Sequence, residues 1–182
     1  DQTKEAVTPS LDSPLWTETQ SIIAAAVDRG SHEALFARAM FRASTCLDLL
    51  ASHQIHHPQL CEGAEADFST VEEAWSSDPR GWLRGELLWT HAAFLNRQGR
   101  IYWIEQRDFK TKIPRIDGLD PKLDYRIAAG VHWSALSSRC QRVDWKTTLD
   151  QAPVNGILLA QFCTQAHGWL AFGLDKDDEI AR

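Results

Sequence analysis

The chain lacks the local motifs that mark common catalytic and redox sites. Cys-x-x-Cys, Glu-x-x-His, His-Glu-x-x-His, Gly-x-Ser-x-Gly and the phosphate-cradling glycine patterns do not occur in it. These absences remove local support for thioredoxin-type sites, zinc ribbons, di-iron bundles, zinc proteases, serine hydrolases and nucleotide enzymes. The sequence therefore gives no positive argument for catalysis, and an enzyme of a motif-poor helical family is the weakest interpretation.

Long apolar runs and a surplus of positive charge are also missing. The most apolar stretch, 154–172, is interrupted by five polar side chains, so we expect no membrane span. The formal net charge is −6, which argues against non-specific nucleic-acid binding. Residues 1–79 carry 13 acidic and four basic side chains, whereas residues 80–146 carry seven acidic and 13 basic ones. An acidic first part and a basic middle can attract each other or present different faces to partners.

Helical periodicity runs through most of the 182 residues, which is enough chain for one domain with its own core. We predict an all-α fold, a mainly helical bundle of five to six helices with one irregular or short β segment near 100–118. The predicted organisation is a flexible N-terminal arm at 1–14, a single helical domain at 15–174 and an acidic C-terminal tail at 175–182.

The irregular segment follows Gly99, which we expect to end the preceding helix. Residues 100–109 are rich in β-forming side chains, and the segment combines cations with aromatic rings. Because arginine and aromatic residues are enriched at interface hot spots, we predict a partner-binding surface here. The alternatives are a solvated loop and a single-stranded nucleic-acid site, the latter disfavoured by the acidic remainder of the chain. The predicted surface residues are Arg100, Tyr102, Trp103, Arg107, Phe109, Lys110 and Lys112, and the expected occupant is an anionic protein partner or the chain's own acidic first part.

Three histidines, His53, His56 and His57, lie close together between two cysteines. On a helix their spacing of three and four residues would let them share zinc or another transition metal, with Cys61 or Asp48 as a further ligand. Pro58 follows His57 directly and favours a helix end and a turn instead. We favour the turn, keep the metal as a minority hypothesis and otherwise expect no cofactor.

The four cysteines, Cys46, Cys61, Cys140 and Cys163, allow three pairings. Their even number and a first residue other than methionine favour an oxidising compartment, so we expect a periplasmic or secreted protein. The alternative is four buried, reduced thiols. Cys140 and Cys163 lie at similar distances from residues 152–153, so two helices folded back there would bring the sulfurs close to the same level. We therefore predict the local disulfides Cys46–Cys61 and Cys140–Cys163.

Eight tryptophans are many for this length, and most lie at helical spacing. Aromatic rings in that pattern are typical of a core, although an aromatic-lined pocket for a flat or sugar ligand is the alternative. His91 lies on an apolar stripe and is expected to be a buried structural histidine.

Two functional hypotheses follow. The leading one is a non-catalytic, extracytoplasmic helical protein that binds another protein, as an inhibitor or immunity-type protein does. The second is a helical small-ligand or metal-binding protein that uses the histidine cluster or a tryptophan-lined pocket.

Overall fold

The computed structural model describes residues 14–76, 80–107, 116–119 and 125–174, and these residues confirm the predicted all-α fold. A π-helical turn, Leu49–His53, continues α2, and one isolated parallel bridge joins Ile55 to Asp117 outside any strand. No helix in the described ranges is long and apolar enough to cross a membrane. The seven α-helices of these ranges are α1 (Pro14–Asp28), α2 (His32–Asp48), α3 (Pro58–Ala74), α4 (Gly81–Arg107), α5 (Tyr125–Arg142), α6 (Trp145–Gln151) and α7 (Pro153–Leu174).

The predicted irregular or β structure is wrong for residues 100–107, which continue α4. Gly99 lies inside this helix and does not end it. The preference of aromatic residues for strands depends on the side chains against which they pack. Here, helical geometry places Tyr102 one turn beyond Gln98 and Gly99, which are both buried. Continuing the helix therefore extends its buried face. Residues 108–115 lie outside the described residues.

Two further helix boundaries differ from the sequence prediction. Pro58 is the first residue of α3. Proline suits this position, because the N–H groups of the first helical turn have no partner within the helix. The turn before it contains Gln54 in the left-handed conformation, with φ 54°. The short helix α6 brings the number above the predicted five to six, and the side chain of Asp144 caps its N-terminus by accepting from the Thr147 N–H.

Helix α4 is the centre of the fold, since it contacts α2, α3, α5, α6 and α7. Helix α7 runs parallel to α4, because Glu86 bonds to Asn155 and Asn96 bonds to Gln165 with the same separation of 69 residues. Helix α5 runs antiparallel to α7, as the pairs Ser137–His167 and Cys140–Cys163 show. Helices α2 and α3 form an antiparallel pair that packs on the other side of α4.

Both predicted disulfides are present. Cys46–Cys61 joins α2 to α3 with a Cα–Cα distance of 5.1 Å, and Cys140–Cys163 joins α5 to α7 with a Cα–Cα distance of 5.8 Å. Helices α2 and α3 are also joined by buried Asp67, whose two oxygens accept from Arg38 and Arg42 at 2.8–2.9 Å. The predicted arm at 1–14, apart from Pro14, and the tail at 175–182 lie outside the described residues.

Candidate functional site

The histidine segment is a turn that packs against a second part of the chain. The His56 N–H donates to the Asp117 carbonyl at 2.7 Å, and the Asp117 N–H donates to the Gln54 carbonyl at 2.8 Å. Gly118, with φ +86°, passes so close to the His56 carbonyl that a Cβ atom there would overlap it. The turn interpretation thus describes the backbone of His53, His56 and His57.

The same turn brings His56 close to His132 on α5, a pairing with no local sequence signal. Burial and, to a smaller extent, the neighbouring His56 lower the pKa of His132 to about 4. Burial likewise lowers the pKa of His56. Cys61, one candidate metal ligand, is in a disulfide, and the described part of the chain holds no group of three or more His, Cys, Asp or Glu side chains that could bind a metal.

The predicted basic and aromatic surface is divided between interior and exterior. Arg100 is exposed, but Tyr102 is only 3% exposed and stacks on His132 with ring centroids 5.5 Å apart. Trp103 is half-buried and packs on two other tryptophans. Arg107 is the last residue of α4. Phe109, Lys110 and Lys112 lie outside the described residues, so a binding role for them stays a prediction.

The three tryptophans form a cluster between α4, α5 and α7. Trp133 and Trp169 stack with centroids 5.3 Å apart and an interplanar angle of 9°, and Trp103 lies 5.9 Å from each of them at an angle. Gly99 makes room for this cluster, because a Cβ at that position would lie 2.5 Å from Trp133 Nε1. Trp133 belongs to the buried core, and Trp103 and Trp169 are partly buried against it.

A polar concave surface of the described structure is a cleft of about 500 Å³ between α3, α4 and α5, here called the arginine cleft. Helix α3 contributes Ser69, Glu72 and Glu73, whose spacing of three and four residues places them on one face, and Ser76 follows the end of the helix. Helix α4 contributes Arg84 and the apolar floor residues Leu87 and Leu88. The last turn of α5 contributes Arg139 and Arg142, and the next residue, Val143, also lines the cleft. Positively charged side chains are stabilised at this end of a helix by the negative end of its dipole.

A buried histidine stands behind the cleft and orients its acidic wall. His91 is fully buried and stacks on Phe68, and its Nδ1 lies 2.6 Å from Glu72 Oε1. Burial lowers the pKa of His91, so the neutral ring donates from Nδ1 to the carboxylate. Its Nε2 has no hydrogen-bond partner. His91 therefore holds Glu72 in place and cannot reach a ligand in the cleft.

Glu72 is also engaged from the α5 side. Its second oxygen lies 3.4 Å from Arg139 Nε, and Arg139 donates from a terminal nitrogen to Ser69 Oγ at 2.9 Å. Burial raises the pKa of Glu72, but His91 and Arg139 outweigh burial, so the pKa lies below its usual value. The charge of Arg139 is thus neutralised by Glu72 of the same chain.

The other two arginines are not neutralised. Within the described residues, neither Arg84 nor Arg142 has a carboxylate within ion-pair distance, and Arg142 donates to the Ser138 carbonyl of its own helix. Arg84 contributes to lowering the pKa of exposed Asp144, whose hydrogen bonds with Thr147 are the larger cause. The cleft therefore offers two guanidinium groups above an apolar floor, a combination suited to binding an anionic group.

Sequence reasoning missed this cleft because its parts are far apart in the chain. His91 lies 19 residues from Glu72, and Arg139 lies 70 residues from Ser69. The arginines in the last turn of α5 were the one local signal. In comparisons with family models, curated proteins and solved structures, nothing matched this chain.

Proposed function

We propose that this chain is a non-catalytic binding protein that takes an acidic segment of another protein into the arginine cleft. The observation that carries the proposal is the presence of two unneutralised arginines, Arg84 and Arg142, around a concave surface with an apolar floor. Arginine binds carboxylates with two parallel hydrogen bonds, and it is enriched at interface hot spots. The occupant is therefore a peptide segment that carries carboxylates beside an apolar side chain.

Two features support a binding role over a catalytic one. The buried ring of His91 and the paired carboxylate of Glu72 fix the shape of the cleft, and these two groups are already engaged with each other. The helices around the cleft are held by the Cys140–Cys163 disulfide and by the packing of α4. A preformed surface lowers the entropy lost on binding, which is what an inhibitor or immunity-type protein requires.

The location we propose is extracytoplasmic, either periplasmic or secreted. Both pairs of cysteines are oxidised. Disulfides persist in oxidising compartments and are rare in the cytosol, where thiols are kept reduced. The partner is therefore expected among proteins of the periplasm or the surrounding medium.

A labelled peptide tests the chemistry of the cleft. The probe is a fluorescein-labelled peptide with two glutamates on each side of a leucine, and binding is followed by fluorescence anisotropy. We expect saturable binding that Arg84→Gln/Arg142→Gln weakens at least about tenfold, since each lost charge-assisted hydrogen bond is worth about 1.5–3 kcal/mol. The control, Arg97→Gln/Lys146→Gln, removes two cations outside the cleft and should change little.

A second experiment tests the protein partner. A photo-crosslinking side chain at Ser76, on the cleft rim, or at exposed Thr164 on α7 is activated in the extracytoplasmic fraction of the native source. We expect a discrete cross-linked protein from Ser76 only, and its loss when Arg84 and Arg142 are both glutamine. Equal cross-linking with and without the two arginines, or equal binding of a peptide with glutamine in place of glutamate, would contradict the proposal.

A further inference from the structure

A second cavity, of about 430 Å³, lies on the groove between the parallel helices α4 and α7, here called the tryptophan groove. Its lining consists of Arg100 from α4 and of Gln165, Gly168 and Trp169 from α7. This volume lies within the range of small-molecule sites. The arginine cleft shares none of these residues, so the two sites are separate.

Trp169 forms a rigid aromatic wall of the groove. One face of its indole stacks on buried Trp133, and Trp103 packs against it at an angle of 51°. The indole remains half-exposed, so the part that lines the groove is open to a ligand. A side chain held by two neighbouring rings does not lose conformational freedom when a flat ligand stacks on it.

The floor of the groove carries no side chain. Gly168 precedes Trp169, and a Cβ added there would meet no atom within 4 Å. A glycine inside a helix is less stable than alanine by about 0.5–1 kcal/mol, and here no neighbouring atom requires its small size. Space therefore remains open beside the indole.

The polar groups of the groove are donors. Gln165 accepts from Asn96 Nδ2 through its side-chain oxygen at 3.0 Å, which leaves the amide NH₂ of Gln165 to donate. Arg100 is exposed and has no ion pair within the described residues. It lies between the tryptophan groove and a neighbouring groove that contains Asp48 and Arg97. Among the described lining residues of the tryptophan groove there is no carboxylate.

From this combination we infer that the tryptophan groove binds a planar aromatic carboxylate. The ring system stacks on Trp169 over Gly168, and the carboxylate accepts hydrogen bonds from Arg100 and from the Gln165 amide. An aromatic wall matches a flat apolar ring, and a cation with an amide donor matches an anion. A neutral or hydroxyl-rich ring would leave the charge of Arg100 unmatched.

The test uses 2-naphthoate as the probe, with calorimetric titration of the folded, oxidised chain. We expect saturable one-to-one binding, with the neutral alcohol 2-naphthylmethanol binding about tenfold more weakly. Arg100→Gln should weaken 2-naphthoate binding by a similar factor and bring the two ligands to the same affinity.

A blocking variant keeps the test independent of folding. Gly168→Leu fills the groove and should abolish binding without lowering the melting temperature, because the new side chain enters open space. The matched control is Gly130→Leu on α5, where an added Cβ also meets no atom within 4 Å and which does not line the groove. It should bind like the unmodified chain.

Three results would overturn the inference. The first is no saturable binding of 2-naphthoate at millimolar ligand. The second is unchanged binding in Gly168→Leu, which would place the ligand elsewhere. The third is equal affinity for the carboxylate and the alcohol, which would remove the role assigned to Arg100.

Discussion

Gly99 shows how one residue sets the distance between two helices. It lies inside α4, where glycine is less stable than alanine by about 0.5–1 kcal/mol. Its missing side chain lets the indole of Trp133 lie across α4, which brings α5 close enough for Trp133 to stack on Trp169. The sequence pattern predicted a helix end at this glycine. No local signal distinguishes a glycine that ends a helix from one inside a helix against which an aromatic ring packs.

We predict that Gly99→Ala destabilises the fold. The new Cβ would lie 2.5 Å from Trp133 Nε1, so the indole or the helix must shift. Overpacking of this kind costs about 1–3 kcal/mol, which exceeds the gain of up to about 1 kcal/mol from the higher helix propensity of alanine. Urea unfolding followed by circular dichroism should give a net loss in the free energy of unfolding.

Gly168→Ala is the matched control for this prediction. It makes the same change inside a helix, but its Cβ enters open space. We expect it to raise the free energy of unfolding by about 0.5–1 kcal/mol. If Gly99→Ala were as stable as Gly168→Ala, the spacing role of Gly99 would be wrong.

At the scale of elements, the turn at 54–57 is joined to residues 116–119 and faces α5 through a pair of histidines. Two backbone hydrogen bonds connect the segments, and His56 lies close enough to His132 to affect its pKa. His132 in turn stacks on Tyr102 of α4. A neutral His132 suits this buried position, and a protonated one would add a charge beside His56.

The stability of the fold should therefore decrease in mild acid. The pKa of His132 falls from 6.5 to about 4 on folding, because burial and then His56 disfavour the proton. Between these values the unfolded chain binds the proton more strongly than the folded chain. The stabilising contribution is complete above about pH 6.5 and is lost as the pH falls to about 4, by at most about 3 kcal/mol.

Comparison with His132→Phe separates the pH dependence that His132 contributes from the pH dependence that the carboxylates contribute. Phenylalanine keeps a ring against Tyr102 but does not titrate. Urea unfolding at a series of pH values from 7 to 4 should show a steeper loss for the unmodified chain than for the variant. Parallel profiles would mean that His132 does not carry the dependence. The lowered pKa of His56 acts in the same direction, so the variant should retain a smaller slope.

The elements also show which parts of the fold were predictable. The disulfide Cys140–Cys163 was predictable because the two residues lie at similar distances, 12 and 10 residues, from residues 152–153, on two helices that run antiparallel. The helical state of residues 100–107 was not predictable, since Tyr102 and Trp103 pack on side chains of α5 and α7 that are distant in the sequence. The single helix α3 was likewise missed, because Pro58 indicates a break without telling on which side the next helix begins.

At the scale of the whole molecule, the candidate sites depend on contacts between distant segments. The arginine cleft needs α3, α4 and α5 together, and the tryptophan groove exists only because α7 runs parallel to α4. Periodicity predicts which residues of a helix are buried, but not which helices become neighbours. The sequence indicates that most of the tryptophans are core residues. The proximity of Glu72, His91 and Arg139 is visible only in the tertiary structure.

The two disulfides join different helix pairs, α2 with α3 and α5 with α7, so their effects on stability should add. The loops they close span 15 and 23 residues and do not overlap in the chain. In the chain-entropy model each bond contributes about 3 kcal/mol, and the pair about 6 kcal/mol. Most domains have a total stability of about 5–15 kcal/mol, so the reduced chain should retain only a small margin.

We therefore predict that Cys46→Ala/Cys61→Ala and Cys140→Ala/Cys163→Ala each lower the free energy of unfolding by about 3 kcal/mol, and that full reduction lowers it by about twice as much. Thermal and urea unfolding, with and without reductant, measure these changes, and alkylation with mass analysis counts the thiols. A reduced chain whose melting temperature stays within a few degrees of the oxidised one would contradict the prediction. It would also weaken the extracytoplasmic proposal, because a fold that does not depend on its disulfides gives no reason to require an oxidising compartment.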